Sequence, residues 1–166
     1  MAVIGIDPGT AATGFGLIEE KSNGELKLIE FGVIKTPSED PPEERLLSLF
    51  SQLKELIKQH KPETSAVEKL YFQRNVKTAM SVGQARGVIL LALSESRIPV
   101  FEYNPMDVKQ AVAGYGKADK HQVQEMVRTL LQLPDIPKPD DAADALAVAI
   151  CHIHSHKIKR LYSEYG

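Results

Sequence analysis

The chain has 166 residues, 43% hydrophobic and 25% charged, with a formal net charge of −2. That length suits one domain able to bury a core without staples, and the composition excludes a disordered or collagen-like chain. The charge balance excludes a globally basic nucleic-acid coat protein, so any polyanion site has to be a local patch. No apolar run approaches the roughly 18–20 residues of a membrane span; the longest, Val88-Ile89-Leu90-Leu91-Ala92-Leu93, is too short. The N-terminus has no basic n-region and does not read as a signal peptide. The single cysteine, Cys151, rules out an internal disulfide and a Cys-rich zinc site, and points to a reducing cytoplasm.

Residues 2–7 form a short apolar run that meets a turn at Asp7-Pro8-Gly9-Thr10 and read as a buried strand. Residues 13–20 read as a second strand, Asn23-Gly24 as a hairpin turn and residues 25–35 as a third strand. After the turn-rich stretch from Pro37 to Pro42, residues 43–60 carry Leu46, Leu49, Phe50, Leu53, Leu56 and Ile57 at a helical period. Residues 64–68 form a fourth strand, which a helical crossover places parallel to another. A long helix over 76–96 and a fifth strand over 99–103 follow. Two shorter helices come next, about 105–113 and 119–132, then a loop from Pro134 to Pro139 and a last helix over 140–156. The order predicts one α/β domain over residues 1–156, with a five-stranded mixed sheet flanked by helices. The basic, then polar, tail 157–166 is expected to be flexible.

Four carboxylates stand out by context. Asp7 and Glu68 each end an apolar strand, and Asp141 and Asp144 share one helical face at i,i+3. Such acids can converge at one sheet edge and hold divalent ions through hard oxygen ligands. Each also has an ordinary role open to it, as turn residue, strand end, helix cap or dipole partner. Asp140 pairs with Asp144 only at i,i+4 and is open to a capping role.

Ile4-Gly5-Ile6-Asp7-Pro8-Gly9-Thr10 with Thr13-Gly14-Phe15-Gly16 resembles the opening of the RuvC Holliday-junction resolvases. So do Ala66-Val67-Glu68 with Tyr71-Phe72, Gly83-Gln84-Ala85-Arg86-Gly87, Val108-Lys109-Gln110, Val123-Gln124-Glu125-Met126-Val127 and Asp141-Ala142-Ala143-Asp144-Ala145-Leu146-Ala147. The opening motif alone is weak, since actin-like ATPases carry a similar one; the whole set in order is strong. The resemblance implies a ribonuclease-H-like fold and a homodimer that cuts four-way DNA junctions in recombination and repair. It places Asp7, Glu68, Asp141 and Asp144 as ligands of two magnesium ions per subunit, with manganese able to substitute. Some members have histidine where Asp141 stands. Hydrolysis would proceed by in-line attack of an activated water, leaving 5′-phosphate and 3′-hydroxyl ends. The family acts with the RuvA and RuvB branch-migration proteins.

A homodimer with one site per subunit matches the near-twofold symmetry of a junction. The 76–96 helix, with Ala79, Val82, Gly83, Ala85 and Gly87, is the expected dimer face. Residues 69–92 hold Lys69, Arg74, Lys77 and Arg86 and no acid. Lys69, Arg74 and Lys77 there, and Lys117 in the Gly114-Tyr115-Gly116-Lys117 turn, are expected DNA contacts. The resemblance points to Tyr71 as the residue that stacks on an unpaired base, with Phe usual at that position, while Phe72 is expected to pack inside. It likewise matches Lys109 and Lys120 to basic residues important for cleavage, which either hold the scissile phosphate or stabilise its developing charge. His152 and His156 share a helix face, but a four-ligand zinc set is not visible. The rival readings are a sugar-kinase or actin-like ATPase, which needs two lobes where this chain supplies one, a related ribonuclease-H-like nuclease on another nucleic acid, and a junction-binding module without catalysis.

Overall fold

The computed structural model describes residues 1–9, 11–69 and 76–165. Ten elements follow in order: β1 (Ala2–Asp7), β2 (Ala12–Glu20), β3 (Leu26–Lys35), α1 (Pro42–His60), β4 (Thr64–Glu68), α2 (Val76–Glu95), β5 (Val100–Tyr103), α3 (Pro105–Ala113), α4 (Lys120–Leu130) and α5 (Asp140–Tyr165). The sheet order is β3-β2-β1-β4-β5. β1, β2 and β3 are antiparallel neighbours, and β4 and β5 join parallel, as expected. The first hairpin turns where expected, with Gly24 at φ +83° and the Glu25 amide donating to Asn23 Oδ1 at 3.0 Å.

Strand alternation sorts the sheet into two buried faces. Ile4, Ile6, Phe15, Leu17, Ile34 and Val67 point to α1 and α2, where Leu49, Leu53, Ile89 and Leu93 meet them. Val3, Ile18 and Ala66 point the other way and pack with α5, α3 and α4 through Leu146, Ile150, Val108 and Val127. Because Asp7 and Glu68 keep step with Val3 and Ala66, both fall on the α5 side of the sheet.

α5 lies unusually close to that face. A Cβ on Gly14 would overlap the Asp141 carbonyl oxygen, one on Gly5 the Ala145 carbonyl oxygen, and one on Gly16 the Leu146 side chain. Only glycines at these strand positions let a helix backbone come so near. α3 and α4 start on side-chain caps, Asn104 accepting from the Asp107 amide and Asp119 from the Gln122 amide in a full capping box.

Two helices differ from the sequence reading. α5 does not stop at 156 but runs to Tyr165, since Lys157 to Tyr165 contains no Gly or Pro to end it, and Ser163 Oγ donates back to the Arg160 carbonyl. α2 is long and apolar enough to cross a membrane by length and composition, although no single apolar run in it is. Ala85, expected on the dimer face, instead turns inward with Ile89, Ala92 and Leu93, which bury one side of the helix. The opposite side, Val76, Met80, Gly83, Gly87 and Leu91, forms a single stripe at helical spacing. Met80 is 66% and Leu91 60% exposed, and a Cβ on either glycine would meet nothing within 4 Å.

The close approach gives a direct test. Gly14→Ala sets a side chain against helix backbone that moves only if α5 moves. Overpacking of this kind costs about 1–3 kcal/mol, or roughly 2–10 °C in Tm for a chain of this size, and thermal melts should record it.

Candidate active site

Asp7 is the last residue of β1, beside Gly14 on β2, and Glu68 is the last residue of the parallel neighbour β4. Asp141 and Asp144 stand one turn apart at the start of α5, directly over the glycine-bearing strands. The contact brings three of the acids together: oxygens of Asp7, Asp141 and Asp144 all lie within 4.8 Å of one another. Glu68 completes the cluster through a hydrogen bond with the Asp7 carboxyl. Among the described residues no basic side chain ion-pairs with Asp7, Glu68 or Asp141 within 4.0 Å.

The electrostatics follow from that crowding. Burial, then the charges of Glu68 and Asp144, push Asp7 from 3.8 up to about 9. Burial also raises Glu68 and Asp144, opposed at Glu68 by the bond from Asp7 and at Asp144 by the charge of Lys120. A metal-free cluster therefore keeps a proton that separate carboxylates would have lost. Several hard oxygens at one half-buried point, short of positive charge, suit a small divalent cation.

Asp140 is separated from this group. It is the first residue of α5, and the Pro139 carbonyl, not the Asp140 side chain, accepts the Ala142 and Ala143 amides. Its carboxylate instead takes Lys120 Nζ at 3.1 Å and Gln124 Nε2 at 3.1 Å. Lys120 Nζ is also 3.8 Å from Asp144, and lines a cleft of about 280 Å³ with Glu68, Lys109 and Asp144. Burial works against the Lys120 charge, but the bond to Asp140 and the charge of Asp144 outweigh it and raise its pKa. Both lysines expected at the phosphate thus lie beside the acids.

The other expected DNA contacts spread outward. Lys69 is exposed just past Glu68, its amide held by the Tyr103 carbonyl at 2.8 Å. Lys77 is exposed in the first turn of α2, and Lys117 is exposed in the turn before α4. Tyr71 and Arg74, with Phe72, lie outside the described residues. Arg86 is committed elsewhere, pairing with Glu102 of β5.

Two residues have roles the sequence reading missed. Thr13 is buried, and its hydroxyl spans the turn after Asp7, donating to the Gly9 carbonyl at 3.2 Å and accepting the Gly9 amide at 3.4 Å. Its place in the Gly-rich opening was the available signal. His152 is no surface ligand but a buried ring, bonded to Thr64 and Tyr103. Burial, then His156 and Lys159, lower it to about 4, so it stays neutral.

The Asp7 shift fixes a sign. The unfolded chain releases this proton near pH 3.8 and the folded chain near 9, so the stability the proton gives is full below the first value and lost as pH climbs through the second. In metal-free buffer Asp7→Asn should therefore melt higher than the parent at about pH 8.5, by at least roughly 1 kcal/mol or 2–4 °C, with the gap closing toward about pH 4.

Comparison with known proteins places this geometry in context. A family model described as crossover junction endodeoxyribonuclease RuvC matches residues 3–152. A protein of that name from Pelotomaculum thermopropionicum is 55% identical over 160 residues, covering 96% of this chain and 97% of its own. The structure of Thermus thermophilus RuvC in complex with a Holliday junction substrate superposes with a TM-score of 0.91 at 39% identity, covering 96% of each chain. The yeast mitochondrial Holliday junction resolvase Ydc2 shares the fold with a TM-score of 0.74 at 15% identity, over 98% of this chain and 83% of its own.

Proposed function

This chain belongs to the RuvC family of crossover junction endodeoxyribonucleases, and from that premise we propose how its residues resolve a four-way DNA junction. The reading rests above all on one observation: Asp7, Asp141 and Asp144 converge within 4.8 Å, with Glu68 bonded to Asp7. The enzyme is a nuclease with a ribonuclease-H-like fold, acting on junction DNA in recombination and repair, and we place it in the cytoplasm. The four acids would hold two magnesium ions per subunit, or manganese in their place. Such ions would supply water activation and charge neutralisation at the leaving oxygen.

The chain's own residues do the rest. Asp7 lies within 4.8 Å of Asp141 and Asp144 and bonds Glu68, so it links the strand acids to the helical pair. Lys120 is held at the cluster's rim by Asp140, within reach of a phosphate lying over Asp144. With Lys109 across the same cleft it positions the scissile phosphate and offsets its developing charge. Lys69, Arg74, Lys77 and Lys117 neutralise flanking phosphates, and Tyr71 stacks on a base unpaired at the crossover. No side-chain nucleophile is needed: Cys151 is fully buried, and burial pushes its thiol up to about 11.

The exposed stripe of α2 is the dimer face. Gly83 and Gly87 leave room for a second helix backbone, and Val76, Met80 and Leu91 give it apolar surface to cover. Two sites related by a twofold axis cut two strands of like polarity. RuvA and RuvB are the proposed partners on family grounds.

The test is cleavage of a mobile four-way junction with varied core sequences, beside linear duplex, with and without magnesium. Paired, ligatable nicks in the junction alone are expected, with Asp7→Asn reduced about 100-fold or more. Tight binding without nicks in magnesium or manganese would reduce the protein to a junction-binding module. For the dimer, Met80→Glu with Leu91→Glu should sediment as a monomer and lose paired nicking, and a dimer that persists would move the interface elsewhere.

A further inference from the structure

His152 lies on the helix that carries Asp141 and Asp144, yet no step of the reaction uses it. It is 1% exposed. Its Nε2 faces Thr64 Oγ1 at 3.3 Å, and its Nδ1 faces the Tyr103 hydroxyl at 2.7 Å. The Phe101 ring packs against it with centroids 4.6 Å apart. One imidazole thus ties α5 to both strands at the edge of the sheet, β4 and β5. A neutral imidazole can donate from one nitrogen and accept at the other, so both bonds can form at once.

The spacing gives these bonds a purpose. Thr64 and Glu68 lie four residues apart on one face of β4, about 13 Å at strand rise. His152 and Asp144 lie eight apart on α5, about 12 Å at helix rise. The two elements run in opposite senses, so matched lengths connect two crossing points. At one, the helical acids meet the strand acids; at the other, His152 meets Thr64. The glycine contacts fix α5 against β1 and β2, which carry Asp7 but not Glu68. The Tyr103 bond adds the second strand, and the Tyr103 backbone in turn pairs with Glu68 and holds the Lys69 amide.

We propose that His152 is a positioning residue for the metal site: its bonds to Thr64 and Tyr103 set the axial register of α5 on β4, and so the placement of Asp141 and Asp144 relative to Glu68. This rests on the reading that the four acids hold the metal.

The readout is manganese binding by calorimetry without DNA, beside junction binding without divalent ions and a thermal melt of each variant. Thr64→Val and Tyr103→Phe each remove a hydroxyl while keeping shape, and His152→Leu removes both bonds. Each should weaken manganese binding roughly threefold to tenfold, less than the 10–100-fold typical of groups bonded to a ligand directly, with junction affinity unchanged. His152→Gln, which can keep the Thr64 bond, should recover most of the loss. Leu53→Ala, in the core on the opposite sheet face, should lower Tm without changing manganese affinity. Wild-type manganese affinity in Thr64→Val, Tyr103→Phe and His152→Leu would overturn the proposal, as would a loss in Leu53→Ala as large as theirs. Equal manganese binding by wild type and Asp7→Asn would instead overturn the four-acid reading beneath it.

Discussion

A helix pressed against a sheet at backbone distance is the contact on which this structure depends. At Gly5, Gly14 and Gly16 the strands offer no side chain to α5, and α5 answers with Ala142, Ala145 and Ala149, all fully buried. Ordinary helix-on-sheet packing keeps side chains of both elements between the backbones. Here one side is missing, so the first turn of α5 drops onto Gly14 of β2, beside Asp7 at the end of β1. The carboxylates of Asp141 and Asp144 thereby reach Asp7 without a long side chain being needed. Aspartate serves at the close contacts, and the longer glutamate stands on β4, one strand over.

That arrangement is electrostatically unfavourable by itself. The burial that shapes the site also penalises its charges, and the acids penalise one another, so Asp7 holds its proton far above the usual carboxylate range. The surrounding fold over-determines the cluster. Two apolar layers, one on each sheet face, fix the strands, and the 142–153 stretch of α5 is buried almost throughout. The stability lost at the acids is offset by burial elsewhere, a pattern common to sites whose charges await a ligand. Lys120 gives partial compensation from the rim, and Asp140, outside the cluster, keeps it there.

Much of this was legible in the residues. Strand alternation, the Asn23-Gly24 turn and the helical period of α1 located the elements to within a few residues, because each is a local signal. The four acids were visible as apolar strands ending in carboxylates and as an i,i+3 pair. Their convergence was not, since it depends on how closely α5 approaches, which no local pattern encodes. Gly14 and Gly16 read as parts of a motif, whereas their role is the space they leave for Asp141 and Leu146. The role of His152 was hidden for the same reason: spacing showed a histidine pair, and only tertiary contact showed Thr64 and Tyr103 taking its nitrogens. The reach of α5 to Tyr165 was readable from the absence of a breaker, but the change from apolar to basic composition suggested an earlier end.

The close contact is proposed to build one metal centre from two strand ends and a helix start. An anomalous difference map from crystals grown with manganese tests it most directly. Density is expected among Asp7, Asp141 and Asp144, with Glu68 alongside. Manganese bound elsewhere, with nothing between those carboxylates, would contradict it.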